Sequence, residues 1–181
     1  MLTLVLGGAR SGKSRYAQAL CADRATVYVA TARALDDPEM QERINRHRRD
    51  RPGSWITLEE PEAVASAVTR ARPADAPVIV DCITVWIGNL LWKHRGAAAQ
   101  TQEQVVLRSV VELIEAGRGR TLIVVANEVG GGTVPDHPVA RAFRDVHGLA
   151  NQLLAGEAGR VVLLVAGLPL VLKGQDVQSV P

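Results

Sequence analysis

Short apolar runs alternate with longer stretches of mixed polarity along most of the chain. Five of these runs are rich in β-branched and other aliphatic residues, and we predict buried strands at residues 2–6, 26–30, 78–82, 121–126 and 161–166. The stretches between them predict helices at residues 13–22, 37–49, 61–71, 83–94, 101–117 and 138–155. Apolar strands that alternate with helices are typical of a mostly parallel sheet with helices on both faces.

Two weaker strand signals extend the predicted sheet. LPLVLK at 168–173 follows Gly167 closely, and we expect it to return as a short antiparallel edge strand. WITLEE at 55–60 predicts another short strand. We expect a single domain over residues 1–174, followed by a loose tail at 175–181.

Composition and charge narrow the class of protein. The 181 residues are 47% apolar, which fits one globular domain with a sizeable core. No apolar run reaches the roughly 18 residues of a membrane span, and no leader pattern precedes the first strand, so we expect a cytoplasmic protein without membrane insertion. Cys21 and Cys82 form neither a disulfide framework nor a metal-ligand pattern. The net charge of +2 argues against broad binding to nucleic acid.

The first apolar run leads directly into a glycine-rich segment that fits the pattern G-x-x-x-x-G-K-[ST]. Its members are Gly7, Gly8, Ala9, Arg10, Ser11, Gly12, Lys13 and Ser14. Glycines let main-chain N–H groups surround a phosphate, and a following helix adds the positive end of its dipole. The segment therefore predicts a nucleoside triphosphate site, with Lys13 reaching the β- and γ-phosphates and Ser14 binding Mg²⁺. A purely structural glycine turn is the other interpretation.

An acidic residue, Asp81, stands at the end of the apolar run VIVD. Ligands of open parallel sheets bind at the carboxyl ends of the strands, so we predict that Asp81 assists in binding Mg²⁺. A strand-end aspartate that caps the next helix is the alternative. The guanine-specificity motif Asn-Lys-x-Asp of regulatory GTPases is absent, because the corresponding stretch reads Asn127-Glu128-Val129-Gly130. A small-molecule kinase or transferase is the function that these observations favour.

The segment RINRHRRDR at 43–51 concentrates five arginines around His47. Arginine offers forked, permanently charged donors that suit a triphosphate. Neighbouring positive charge disfavours imidazolium, and a neutral imidazole can attack phosphorus. Attack at the α-phosphate would form a nucleotidyl-histidine and release pyrophosphate. A solvated basic helix, with the histidine packed beside Ile44, is the alternative interpretation of the same pattern.

Six stretches of the chain together carry a resemblance to a known family: GGARSGKS, YVATA, ERINRHRRDRP, the DCIT stretch, NEVGGGTVPDHPVARAFRD and AGLPLVLK. Over residues 1–174, the chain resembles the bifunctional adenosylcobinamide kinase/adenosylcobinamide-phosphate guanylyltransferase family. The resemblance implies a recombinase-like P-loop NTPase domain that forms homotrimers. It implies phosphorylation of adenosylcobinamide by a nucleoside triphosphate, either GTP or ATP, and transfer of GMP from GTP to adenosylcobinamide-phosphate in cobalamin biosynthesis. The second reaction would proceed through a guanylyl-histidine, and the matching histidine is His47.

The resemblance also assigns nucleotide contacts beyond the glycine-rich segment. They are Thr31, Ala32, Arg33, Arg48, Arg49, Asp50, Arg51, Glu59 and Asp81. A glutamate can accept hydrogen bonds from guanine N1–H and the exocyclic amine, which would let Glu59 select GTP over ATP. Two rival functions remain at this point: a P-loop small-molecule kinase without nucleotidyl transfer, and a nucleotide-binding switch without enzymatic activity.

Glu128 and the glycines at 130–132 follow the fourth apolar run. The glycines would allow close approach by a bulky corrinoid or a neighbouring subunit, and a long flexible loop is the other interpretation. His94, His137 and His147 have no arginine-rich setting like that of His47.

Overall fold

The computed structural model describes residues 1–22, 24–33, 42, 48–49 and 51–175. Seven strands form one sheet: β1 (Leu2–Gly7), β2 (Val27–Ala30), β3 (Ile56–Glu59), β4 (Val78–Asp81), β5 (Leu122–Val125), β6 (Arg160–Val165) and β7 (Leu168–Lys173). Their order across the sheet is β3-β2-β4-β5-β1-β6-β7.

The sheet is parallel except at one edge. Strands β1 to β6 pair in parallel, and β7 turns back through Ala166 and Gly167 to pair antiparallel with β6. Both residues of this turn have positive φ, +52° and +85°, the left-handed conformation of a tight reversal. The predicted parallel sheet, its antiparallel edge and the short strand within 55–60 are confirmed.

Five helices lie in the described part of the chain: α1 (Lys13–Ala19), α2 (Val64–Arg70), α3 (Ile83–Lys93), α4 (Ala99–Ala116) and α5 (Pro138–Glu157). Helix α2 begins three residues later than the pattern predicts. The Glu60 carboxylate accepts hydrogen bonds from the N–H groups of Glu62 and Ala63 at 3.0 and 2.8 Å, and this turn precedes the helix. Most of the helix predicted at 37–49 lies outside the described residues.

Alternate residues of each strand enter two separate cores. Leu4, Val78 and Val80 point to one face, where they pack against helices α2 to α5. Val5 and Ile79 point to the other face, where they pack against α1 and the segment before β3. Both faces of the central strands are therefore buried, which is why these strands read as continuous apolar runs.

The strand order determines which residues meet at the carboxyl edge of the sheet. Strand β5 lies between β1 and β4, so the loop after β5 stands between the glycine-rich segment and Asp81. Thr31 follows β2 at the same edge, beside Asp81. In the described part of the chain, no helix is both long and apolar enough to cross a membrane.

Two neighbouring leucines of α5 provide a test of this packing. Leu154 is fully buried in the larger core, whereas Leu153 is 38% exposed. We expect Leu154→Ala to lower the free energy of unfolding by about 2–5 kcal/mol, because it removes buried contacts and leaves a cavity. Leu153→Ala should cost less than about 1 kcal/mol. Urea unfolding of both variants measures the difference, and equal losses would contradict the orientation of α5.

Candidate active site

The glycine-rich segment forms a compact loop between β1 and α1. Gly12, the residue before the helix, has φ +96°, and Arg10 has φ +56°. The Ser11 N–H donates to the Gly8 carbonyl at 3.3 Å, and the Gly167 N–H donates to the Ser11 carbonyl at 3.0 Å. The loop is therefore held both by its own turn and by the β6–β7 turn beside it.

Two of its glycines are required by close approach or by backbone conformation. A Cβ on Gly7 would lie 2.5 Å from Ser11 Oγ and 2.6 Å from the Leu164 carbonyl oxygen. Gly12 has a left-handed conformation that residues with side chains rarely adopt. Gly8, in contrast, has no neighbouring atom within 4 Å of the position that a Cβ would take. The loop therefore tolerates a side chain at Gly8 more easily than at Gly7 or Gly12.

Lys13 is buried at the first position of α1. Only 8% of it is exposed, and its Nζ donates to the Gly8 carbonyl at 2.6 Å. The ammonium group therefore lies across the loop rather than in solvent. Ser14 follows it on the same helix and is half-buried. This places a cation and a hydroxyl at the two positions that the motif predicts.

Asp81 is held by a residue that the sequence analysis did not identify. The hydroxyl of Tyr28, which is 1% exposed, donates a hydrogen bond to Asp81 Oδ2. Burial raises the pKa of Tyr28, and the negative charge of Asp81 raises it further, so the phenol stays protonated and continues to donate. The Asp81 carboxylate is thereby fixed in orientation at the end of β4.

Tyr28 also contacts the arginine segment. The guanidinium carbon of Arg51 lies 3.7 Å from the centroid of the Tyr28 ring, and Arg51 Nη1 donates to Thr57 Oγ1 at 3.0 Å. Trp55 packs beside the same ring, with 6.4 Å between centroids. One aromatic side chain therefore connects Asp81 with Arg51. The only sequence signal for it was an aromatic residue within a buried strand.

Thr31 is fully buried and its polar groups are engaged within the protein. Its hydroxyl donates to the Cys82 carbonyl at 2.7 Å and accepts from the Cys82 N–H at 3.0 Å. Its carbonyl accepts from Asn89 Nδ2 at 2.9 Å. Thr31 thus fixes the end of β2 to the end of β4, and Ala32, which is half-buried, follows it at the sheet edge.

Arg33 forms an ion pair with Glu62 in a small charged cluster beside this edge. Lys93 donates to the other oxygen of Glu62 at 2.6 Å. The hydrogen bond from Lys93, together with the two positive charges, lowers the pKa of the Glu62 carboxyl group. Arg33 therefore lies next to the predicted site with its guanidinium already oriented by a carboxylate.

Three further predicted contacts, Arg48, Arg49 and Glu59, are exposed. Arg48 Nη1 stands 3.7 Å from Glu59 Oε1, and Arg49 Nη2 donates to Glu42 Oε1 at 2.8 Å. The structure thus brings Arg48 to the end of β3. His47 and Asp50 lie outside the described residues. Their predicted roles stay predictions.

A second group that the sequence analysis missed fixes the loop after β5. The N–H of Glu128 donates to the Gly7 carbonyl at 3.0 Å, so the loop adjoins the glycine-rich segment directly. Thr84 Oγ1 accepts from the Asn127 N–H at 2.8 Å and lies 3.0 Å from Nε2 of His147, which is fully buried. Burial lowers the pKa of His147, while Glu128 acts in the opposite direction. A buried, neutral imidazole thereby supports the position of Asn127.

The donor set fits Mg²⁺ better than it fits a metal that needs a complete protein cage. In the described ranges, no group of three or more His, Cys, Asp and Glu side chains is placed to hold a metal ion. Mg²⁺ commonly takes one or two protein oxygens and completes its shell with phosphate and water. Ser14 and the oriented carboxylate of Asp81 match that requirement.

Comparison with known proteins agrees with this arrangement. A family model described as cobinamide kinase/cobinamide phosphate guanyltransferase matches residues 3–172. The bifunctional adenosylcobalamin biosynthesis protein CobP of Pseudomonas aeruginosa is 42% identical over 177 residues, which cover 97% of this chain and 99% of that protein. The bifunctional adenosylcobalamin biosynthesis protein CobU of Escherichia coli is 39% identical over 182 residues, covering 96% and 100%.

Among solved structures, an ATPase from the type III secretion system of pathogenic bacteria has a similar fold. The TM-score is 0.59 at 13% sequence identity, over 91% of this chain and 51% of the ATPase chain. The likeness concerns the fold alone, and this chain spans about half the length of that ATPase. With the glycine-rich loop and the parallel sheet, it confirms the predicted P-loop NTPase fold.

The two adjacent glycines of the loop provide a direct test of its geometry. We expect Gly7→Ala to lower the free energy of unfolding by about 2 kcal/mol or more, because the methyl group overlaps Ser11 and the Leu164 carbonyl. Gly8→Ala should change it by less than about 1 kcal/mol. Both values come from urea unfolding without nucleotide. A Gly7→Ala variant as stable as Gly8→Ala would contradict the close approach of β1 to β6.

Proposed function

This chain belongs to the cobinamide kinase/cobinamide phosphate guanyltransferase family, and from that premise we propose which residues carry out each of the two reactions. It is a bifunctional transferase of adenosylcobalamin biosynthesis with both activities. The family match over residues 3–172, together with the phosphate loop before α1, carries this conclusion. The family's two activities exclude the two rivals, a kinase without nucleotidyl transfer and a non-enzymatic switch.

In the kinase reaction, residues 7–14 bind the triphosphate of the donor nucleotide, GTP or ATP. Main-chain N–H groups of the loop and the N-terminus of α1 face the phosphates, and Lys13 neutralises charge on the β- and γ-phosphates. Catalysis of phosphoryl transfer depends mainly on positioning and charge stabilisation. The loop geometry supports this role, because two independent turns hold it in one conformation.

Ser14 and Asp81 hold Mg²⁺ in this proposal. When bound there, Mg²⁺ would supply positive charge that neutralises the phosphate oxygens. Tyr28 supports the proposal, because its hydroxyl holds one Asp81 oxygen and leaves the other available. The contact between Arg51 and Tyr28 places the arginine segment next to this metal position.

In the guanylyl transfer, His47 carries the nucleotide. An imidazole nitrogen attacks the α-phosphorus of GTP, the bond from that phosphorus to the bridging oxygen breaks, and pyrophosphate leaves with the electron pair. A phosphate oxygen of adenosylcobinamide-phosphate then attacks the same phosphorus and expels the imidazole, which gives adenosylcobinamide-GDP. Arg48 and Arg51 follow His47 in the sequence, and they stabilise the phosphate charge in both steps.

The other predicted contacts complete the nucleotide site. Ala32 and Arg33 lie along the edge beside Asp81, whereas Thr31 is buried behind them and fixes the end of β2 to the end of β4. Arg49 and Asp50 belong to the arginine-rich segment of the sequence. Glu59 selects guanine by accepting from its N1–H and amino group. The 3.7 Å approach of Arg48 to Glu59 supports this, since it brings the arginine segment to the end of β3.

A cytoplasmic homotrimer is the proposed assembly. The β6–β7 edge supports self-association, because it exposes apolar side chains that water disfavours. Val165, Leu168, Leu170 and Leu172 are 57%, 72%, 55% and 55% exposed.

The covalent step is tested with GTP labelled at the α-phosphate, Mg²⁺ and no corrinoid. We expect protein-bound label that is stable to alkali and labile to acid, as a phosphorus–nitrogen bond requires, and that moves to adenosylcobinamide-phosphate when this is added. His47→Ala should bind GTP yet acquire no label, whereas His94→Ala, the matched control directly after α3, should be labelled normally. Absence of label on folded, GTP-binding wild type would refute the intermediate.

The guanine contact is tested by Glu59→Gln. The substituted amide presents a donor as well as an acceptor, so we expect the preference for GTP over ATP in nucleotidyl transfer to fall about tenfold or more. The measurement is kcat/KM for each nucleotide with adenosylcobinamide-phosphate as acceptor. An unchanged ratio would exclude Glu59 from base recognition.

A further inference from the structure

Glu128 occupies the position between the phosphate loop and Asp81. Strand β5 separates β1 from β4, so the residues that follow it emerge between the ends of those two strands. The N–H of Glu128 donates to the carbonyl of Gly7, the first residue of the loop, at 3.0 Å. The main chain of Glu128 is therefore fixed beside the donor phosphates.

The side chain of Glu128 is oriented as well. Its Oε1 accepts a hydrogen bond from the Gly130 N–H at 2.7 Å, and the residue as a whole is exposed. Gly130 also lines a surface groove of about 410 Å³ beside α5. The carboxylate thus faces solvent, and no hydrogen bond to its second oxygen is formed by the residues that the structure describes.

The other described carboxylates near this edge have different partners. Asp81 accepts from Tyr28, and Glu60 accepts from two main-chain N–H groups in the turn before α2. Glu59 and Glu62 pair with arginine or lysine side chains. Glu128 has no cationic partner in the described ranges, and it adjoins the phosphate loop directly. No described arginine or lysine side chain therefore competes with a substrate hydroxyl for this carboxylate.

We propose that Glu128 is the general base of the kinase reaction. Its carboxylate accepts the proton of the cobinamide hydroxyl as the hydroxyl oxygen bonds to the γ-phosphorus. The bond from the γ-phosphorus to the bridging oxygen breaks, and the nucleoside diphosphate leaves with that electron pair. The protonated carboxyl group then releases its proton to solvent. The assignment rests on the kinase activity of the family and on binding of the donor triphosphate at residues 7–14.

The second reaction of the same protein does not need this base. Its acceptor is a phosphate monoester, which has already lost its protons near neutral pH. A phosphate oxygen attacks the α-phosphorus without losing a proton. Removal of a general base should therefore damage one activity and spare the other. A structural role for Glu128 would not separate them, because both reactions use the same fold.

The experiment compares wild type, Glu128→Gln and Glu103→Gln in separate assays. The kinase assay uses adenosylcobinamide and ATP, and the guanylyltransferase assay starts from adenosylcobinamide-phosphate and GTP. Glutamine still accepts from the Gly130 N–H, so the loop keeps its hydrogen bond while its basicity is lost. Glu103 is an exposed glutamate of α4, and its substitution makes the same change in charge away from the site. Calorimetry with the non-hydrolysable ATP analogue AMPPNP measures nucleotide affinity independently.

We expect Glu128→Gln to lower the kinase kcat about 100-fold, the lower end of general-base effects, because positioning dominates phosphoryl transfer. Guanylyl transfer and AMPPNP affinity should stay within about twofold of wild type, as should every value for Glu103→Gln. An unchanged kinase rate would overturn the proposal, and so would equal losses in both reactions. A wild type without kinase activity would instead overturn the family assignment on which the proposal rests.

Discussion

Parallel pairing of β4, β5 and β1 determines where the functional groups of this protein stand. Because the three strands run in the same direction, their carboxyl ends meet at one edge, and this edge carries Asp81, Glu128 and the phosphate loop. The loop depends further on β6, since Gly7 approaches Leu164 too closely for any side chain. The order of the strands therefore determines where the site lies, and the buried apolar strands hold it in place.

Much of this framework is local in the sequence. The apolar runs predict the strands, and the phosphate-loop motif predicts the turn into α1, because each depends on residues adjacent in the chain. The long-range contacts are different. Tyr28 meets Asp81 across 53 residues, and His147 meets Thr84 across 63. Hydrophobic periodicity carries no information about such pairs. The residues that hold Asp81 and the loop after β5 in place are therefore visible only in the structure.

The residues that hold the site in place are more deeply buried than the groups that they position. Tyr28, Thr31 and His147 are almost fully enclosed, and removing one partner of a buried hydrogen bond costs about 1–3 kcal/mol. Such bonds hold one geometry through repeated turnover. The predicted nucleotide contacts Arg48, Arg49 and Glu59 are exposed instead. The molecule thus combines a rigid sheet edge with an arginine surface that solvent reaches.

The exposure of these nucleotide contacts bears on how one site serves two reactions. Ion pairs between exposed side chains are worth about 0–1 kcal/mol, so exchanging Glu59 or Glu42 for a phosphate costs an arginine little. In the proposed site, a triphosphate would offer several charges to the same guanidinium groups and would replace the carboxylates. In the proposed mechanism, the buried cation Lys13 neutralises the β- and γ-phosphates during the kinase reaction. Arginines that change partners at low cost suit the α-phosphate, which reacts in the second step. The proposed mechanism therefore assigns phosphoryl transfer to a buried, preorganised cation and guanylyl transfer to an exposed, exchangeable set of arginines.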